Sequence, residues 1–347
     1  MKISVISAGE LDGDAHARWL GFQRSNPALA SPYFCPEFTL AVADHCKDVR
    51  VAVMEKSHAI VGFFPFQSRW TVGAPVGSVM SDHHGVICAP ETRWDWGDLL
   101  RGAGLSCWRF DGLCAAQGRT SGLREGSSPG LDLSRGFAAY MAGRFAVHPK
   151  SMHTFARKRR KLERELGSVR FVENEPDPAV FEALLRMKAE QYRRTGAADV
   201  FKLGWPRALL DRIRQTDLPH FGGRLTALFV GDTLAAANFG MRSEKVWHAW
   251  FPAHESSLAR HSPGIQLLIH MAELAARDGH RLLDLGKGDE GYKAIFADHE
   301  APLVEGAFAR SAAASSLTLA PYRAARWILS TPVGQRLRPL VRRVRGL

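Results

Sequence analysis

The chain of 347 residues is 46% apolar and 23% charged, with a formal net charge of +11. That length exceeds one ordinary core and suits two domains, and the apolar share excludes wholesale disorder. The basic excess is local, not spread as on a nucleic-acid-binding surface: Lys150 to Arg164 holds seven Lys or Arg against one acid, Glu163, and residues 316–347 hold seven Arg and no acid.

Met1 to Ser7 reads as a short strand, and Glu10, Asp12 and Asp14 then stand where an export signal would need an apolar run, so a cytoplasmic protein is expected. No uncharged apolar stretch approaches the ~18 residues of a membrane-spanning helix. The five cysteines (Cys35, Cys46, Cys88, Cys107, Cys114) lack paired CxxC spacing and are expected as reduced, buried thiols. Val49 to Met54 and Ala59 to Phe66 are apolar strands around the polar turn Glu55 to His58, a hairpin. Ser81-Asp82-His83-His84-Gly85 offers imidazole and carboxylate groups, yet no other close His or Cys pair completes a metal set. Lining of a cleft between domains and a plain loop stay open for it.

Phe137 to Leu166 has helical character broken at His148-Pro149, because proline cannot donate the helical hydrogen bond. The charged helix from about Ser151 begins the second half. Its cations from Arg157 to Arg164 wrap most of the helix, which fits a solvated face or a contact with an anionic acceptor. Apolar residues at three- and four-residue spacing predict helices over Pro178 to Arg194 and Trp205 to Gln215. A second hairpin joins Leu225 to Val230 with Leu234 to Phe239 through Gly231-Asp232, and its likeness to the first points to an internal duplication. A strand follows at Lys245 to Phe251.

Ser262-Pro263-Gly264 is the clearest helix start: Ser can cap, and Pro at the first helical position forfeits no needed N–H. The helix runs through Ala276 with Ile265, Leu268, Ile269, Ala272 and Ala275 or Ala276 on its buried face, and Gly279 stands past its end. Free N–H groups near Gly264, Ile265 and Gln266, aided by the helix dipole, Arg260 and His261, make an anion site suited to a pyrophosphate. Arg281 to Leu285 is a short strand leading into a glycine-rich loop. This order predicts an α/β (α+β) fold in layers.

The aromatic strand Val246 to Phe251, the helix start Ser262-Pro263-Gly264, and Asp284-Leu285-Gly286-Lys287-Gly288-Asp289-Glu290-Gly291-Tyr292-Lys293 occur in an order and spacing that resemble the CelD-like branch of the GNAT acetyltransferase superfamily. That branch is associated with cellulose and other extracellular polysaccharides. The basic helix Phe155 to Glu163 looks like its opening helix. Ser31-Pro32-Tyr33-Phe34 and the double-histidine segment are similar to its variable N-terminal domain. More distantly the chain resembles the FemABX aminoacyltransferases.

The resemblance implies two tandem GNAT-like domains, each a mixed, mostly antiparallel sheet flanked by helices. Residues 1–140 would be a degenerate first domain, 141–315 the acyltransferase, and 316–347 a basic amphipathic tail. It implies acetyl-CoA or another acyl-CoA as co-substrate and no metal. The donor's pantetheine would lie along Trp247, Ala249, Trp250 and Phe251 and its phosphates near Arg260, Ser262, Gly264, Ile265 and Gln266, while Lys287 and Lys293 would contact phosphate groups on donor or acceptor. In place of the family's usual Gln/Arg-x-x-Gly-x-Gly/Ala loop, Arg260 is followed by Pro263 and Ile265 in the glycine positions.

Acyl transfer needs a base, oxyanion stabilisation and an acid for the thiolate. Tyr292 is the candidate acid, and His248, Asp289 and Glu290 are the candidate bases. The expected acceptor is a sugar or lipid-linked sugar. The tail interleaves Trp327, Ile328, Leu329 and Leu337 with arginines, which suits a peripheral contact with an anionic membrane and with polysaccharide-synthesis proteins; no DNA partner is expected. An aminoacyl-tRNA-dependent transferase and a non-catalytic GNAT-like module are the rival readings.

Overall fold

A computed structural model describes residues 1–118, 123–288 and 291–310. In chain order its elements begin with β1 (Lys2–Ser7), α1 (Gly13–Ser25), α2 (Pro36–Ala43), β2 (Val49–Lys56), β3 (Ala59–Arg69), β4 (Val72–Ala74), β5 (Ile87–Cys88), α3 (Trp96–Gly102) and β6 (Cys107–Cys114). Next come β7 (Arg124–Asp132), α4 (Phe137–Val147), α5 (Pro149–Leu166), β8 (Val169–Val172), α6 (Pro178–Thr195), α7 (Trp205–Arg214) and β9 (Asp217–Leu218). The last are β10 (Phe221–Val230), β11 (Thr233–Ser243), β12 (Val246–His254), α8 (Pro263–Arg277), β13 (Leu282–Asp284), α9 (Lys293–Phe296) and β14 (His299–Ala309). The fold is mixed α/β. Two units divide the chain: Met1–Ser127 with Gly196–Leu209 and the described residues from Pro302 on, and Ser128–Thr195 with Leu210–Ala301.

In the first unit the strands run in the order β1-β2-β3-β4-β6-β14, with β5 beside β3. Hairpin β2–β3 closes through Ser57 and His58, both at positive φ, the backbone a two-residue turn demands. Its core is aromatic: Trp96 stacks on Trp108 (5.1 Å) and on Phe308 (4.4 Å). No disulfide joins the cysteines; four are buried, and burial raises the thiol pKa of Cys88 and Cys114. The double-histidine segment is held by its own neighbours. His84 bonds Ser81 Oγ (3.2 Å) and Asp111 Oδ1 (2.9 Å), and His83 stacks on Tyr33. Among the described residues no cluster of three or more His, Cys, Asp or Glu could hold a metal.

In the second unit the order is β7-β13-β12-β11-β10-β8, with β9 beside β10. The unit includes Ser128 because Gly130–Asp132 of β7 pairs with Leu282–Asp284 of β13. Hairpin β10–β11 turns at Gly231, φ 54°. On one face α8 buries Leu267, Leu268, Met271 and Ala272 against Trp247, Ala249 and Leu283. On the other, Phe181 of α6 meets Phe239 of β11 edge-on at 5.6 Å. The buried stripe of α8 is wider than its sequence pattern implies, since α5 and the sheet both cover it: Leu267, Met271 and Leu274 are buried, while Ile265, Ile269 and Ala276 lie at its border. Among the described residues no helix is long and apolar enough to cross a membrane.

Gly279, at φ 82°, ends α8 as expected, and the next residue, His280, tucks in beside Trp247. Burial first, then Arg224 and Arg242, push its pKa down from 6.5 to about 4. The folded protein therefore holds this imidazole neutral where the unfolded chain would protonate it. The associated stability is fully present above pH 6.5, is lost as pH falls from there toward 4, and amounts to roughly 3 kcal/mol. Urea unfolding followed across that window should show the loss, and His280→Leu should flatten it; an unchanged slope in the variant would refute the assignment.

Candidate active site

Strands β12 and β13 run parallel for only three pairs, Val246↔Leu282, Trp247↔Leu283 and His248↔Asp284. β13 then stops, because Leu285 turns its N–H to Pro129 O and Gly286 and Gly288 take positive φ values of 73° and 125°. β12 continues to His254. The strands part at the His248–Asp284 pair, leaving a wedge bordered on one side by Ala249–His254. Alternation along β12 places Trp247 and Ala249 in the core under α8, and His248, Trp250, Pro252 and His254 on the opposite face, toward α6.

A buried polar group marks the apex of the wedge. Asp284, His248 and Ser128 are each 1% exposed. Ser128 Oγ donates to Asp284 Oδ1 (2.5 Å), Gly286 N–H donates to the same oxygen (2.9 Å), and His248 Nδ1 lies 3.1 Å from Oδ2. With the carboxylate accepting from Nδ1–H, the basic nitrogen of His248 is Nε2. The glycine loop is clamped from below: Lys293, 5% exposed, donates to Gly286 O (2.9 Å) and Lys287 O (3.0 Å). Helix α9 is itself tied down by Tyr140 Oη on Phe296 O (2.8 Å) and by Arg144 on Ala297 O (2.9 Å).

The start of α8 adjoins the far end of β12. A Cβ added at Gly264 would meet nothing nearer than His254 Nδ1, 3.6 Å away. Ser262 has φ 53° and ψ 53°, a left-handed conformation that turns its hydroxyl away from the helix amides. It therefore does not cap as expected; its Oγ accepts from Lys158 Nζ of α5 (2.8 Å). The amides of Ile265 and Gln266 also differ from expectation. Both donate to Ser262 O, and the Gln266 side chain donates to Phe155 O, so these groups serve the helix and its packing on α5. What flanks the helix start is cationic: Lys158, and Arg260, whose Nε donates to His261 Nε2 (2.9 Å) and whose guanidinium lies 3.6 Å from Glu165. Burial, followed by Arg260, lowers the pKa of His261.

Other expected site residues fall as follows. Ala249, Trp250 and Phe251 border the wedge. Trp247 does not, because it lies inside the ladders with both β11 and β13 and its side chain is wholly buried. Lys293 is committed to loop carbonyls, a clamp in place of the phosphate contact expected. Lys287 is half-buried on the glycine loop, and Tyr292 is half-buried at the start of α9, against the core of this unit. Asp289 and Glu290, like the tail, lie outside the described residues. Sequence reasoning passes over Ser128 and His254, takes Asp284 only as the first residue of the glycine-loop segment, and takes Lys158 only as one of the cations of the basic helix. An acid closing the apolar run Leu282-Leu283-Asp284 was a readable signal; a serine in β7 was not. Beyond His254, a small cavity is lined by Met187, Glu190, Gln191, Arg194 and Ser256. Burial, then Arg194, lowers the His254 pKa.

Residues 149–294, from α5 into α9, match the model of an acetyltransferase (GNAT) domain. No curated protein matches the chain. Among solved structures it is similar to the C-terminal domain (DUF2156) of a putative lysylphosphatidylglycerol synthetase from Agrobacterium fabrum, at 14% identity and TM-score 0.53, over 92% of this chain and 98% of that one. It is similar to a tandem GNAT protein from the clavulanic acid biosynthesis pathway, at 13% identity and TM-score 0.51, over 89% and 98%. FemX is a further likeness, at 10% identity and TM-score 0.55, over 89% and 97%. At these identities the likeness is one of fold.

Proposed function

We propose that the second unit, which carries the GNAT acetyltransferase domain match, moves an acyl group from a CoA thioester to an amine or hydroxyl. The observation that carries this reading is the parting of β12 from β13 at the buried His248–Asp284 pair, with the start of α8 at the far end of β12. Ala249, Trp250 and Phe251 would border the pantetheine. Gly264 leaves room for backbone to approach a diphosphate, and Lys158 and Arg260 would supply its countercharge.

The co-substrate supplies an acyl carbon activated by sulfur; the chain's groups manage the protons. His248 Nε2 takes the proton of the attacking N–H or O–H as that atom bonds to the acyl carbon. Asp284 stabilises the resulting imidazolium through Nδ1–H, and Ser128 and Gly286 hold the carboxylate in place. Tyr292 gives its hydroxyl proton to the departing thiolate as the C–S bond breaks. The expected acceptor, a sugar or lipid-linked sugar of extracellular polysaccharide, rests on the resemblance of the 284–293 segment to the CelD-like branch. An aminoacyl-tRNA donor is a second reading, supported by the basic helix α5 and the likeness to FemX.

Gly264→Asp separates these readings. A Cβ there makes only ordinary van der Waals contact with His254, nearest at 3.6 Å, and an acid in the first turn of a helix is stabilising, so the fold should persist. A carboxylate beside the diphosphate should weaken acetyl-CoA binding by about tenfold or more, read by calorimetry. Wild-type protein that binds no short acyl-CoA but binds tRNA would replace the first reading with the second.

A further inference from the structure

Helix α5 presents two kinds of cation. Arg159 and Lys161 are satisfied within the helix by Glu163 and Glu165, and Lys158 reaches Ser262. Lys150, Arg157, Arg160 and Arg164 are all exposed, and among the described residues none has an ion-pair partner. At 100° per residue these four and the exposed His153 fall within an arc of about 80°, on a line about 21 Å long. The buried Met152 and Leu162 and the partly buried Phe155 lie on the opposite side. The ridge is thus a straight row of unneutralised charge on a rigid 18-residue helix.

A second feature adjoins it. Phe145 and Val147, at the end of α4, are 37% and 61% exposed, and the Phe145 ring contacts His153 of the ridge at 5.6 Å. Large apolar side chains beside a row of cations match the headgroup region of a bilayer, where phosphates meet the cations and the acyl boundary receives the apolar groups. A nucleic-acid strand would use the cations but would leave Val147 in water.

From this we propose that the outer face of α5, with Phe145 and Val147, docks on an anionic lipid bilayer. The surface differs from the arginine-rich tail, and the proposal is independent of the acyl-transfer reading.

The test uses the full chain and sedimentation with vesicles of phosphatidylcholine alone or mixed with phosphatidylglycerol. Wild-type protein should bind the mixed vesicles and not the neutral ones. Replacing Lys150, Arg157, Arg160 and Arg164 together by Gln should weaken that binding by about two to three orders of magnitude, since each cation near an anionic leaflet contributes about a factor of five. Thermal midpoints should not fall, because these side chains make no pairs. Phe145→Ser with Val147→Ser should leave binding that added salt abolishes more readily than in wild type. Equal binding by wild type and the four-Gln variant would overturn the proposal and assign binding to the tail. Loss of binding to a single-stranded oligonucleotide without loss on vesicles would overturn it in favour of a nucleic acid.

Discussion

Replacing His248 by Gln should lower the rate of acyl transfer by about two to four orders of magnitude, the usual contribution of a positioned general base. Donor affinity should change little, because His248 stands at the apex of the wedge and not at the start of α8. The geometry sets this expectation: Nδ1 is held 3.1 Å from Asp284 Oδ2, which orients the ring and directs its basic nitrogen elsewhere. Gln keeps polarity and approximate volume, so the loss should appear in kcat and not as unfolding. His248→Ala, which leaves a cavity beside a buried carboxylate, should be both inactive and less stable. Added imidazole should restore part of its rate. A Gln variant within twofold of wild type would make His248 a structural histidine, and the proton acceptor would then be sought elsewhere.

Asp284→Ala should be among the most destabilising single changes in the second unit. The carboxylate accepts from Ser128, Gly286 and His248 at once, and the side chains involved are 1% exposed. Removing it strands three buried donors where water has little access. Each unsatisfied buried donor costs about 1–3 kcal/mol, so a total of about 3 kcal/mol or more is expected. Urea denaturation reads this directly. Asp284→Asn, which retains one acceptor oxygen but directs N–H toward another donor, should fall between wild type and Ala. A loss under about 1 kcal/mol for Ala would show that water replaces the carboxylate and that the apex is wetter than its burial indicates.

The elements themselves were largely legible. Alternating apolar residues around Glu55 to His58 and around Gly231-Asp232 specified hairpins β2–β3 and β10–β11, and Pro149 marked the junction of α4 with α5. The helix start at Pro263 and the stop at Gly279 were readable because proline and glycine act through their own backbone geometry. The site was legible only in part. His248 and the glycine loop are readable as candidates because they stand out on a strand and after one. Trp247 was misplaced, since an aromatic strand does not disclose which of its residues precede the split. Lys293 was misread because a lysine beside a glycine-rich loop looks the same whether its ammonium faces a phosphate or the loop's carbonyls.

Sequence by itself determined what depends on neighbours a few residues away: strand and helix periods, turns, the breaks at proline and glycine, and the concentration of charge in α5 and the tail. Tertiary structure alone decided what joins distant segments. Ser128 and Asp284 are 156 residues apart, His248 and Asp284 36, and Lys158 and Ser262 104. It also sorted the cations of α5 into those neutralised by Glu163 and Glu165 and the unpaired row along the outer face. The physical reason is one of range. A residue's backbone preference acts on its own turn or strand, but the register of two parallel strands, and thus which side chains meet at their parting, follows from how whole layers pack.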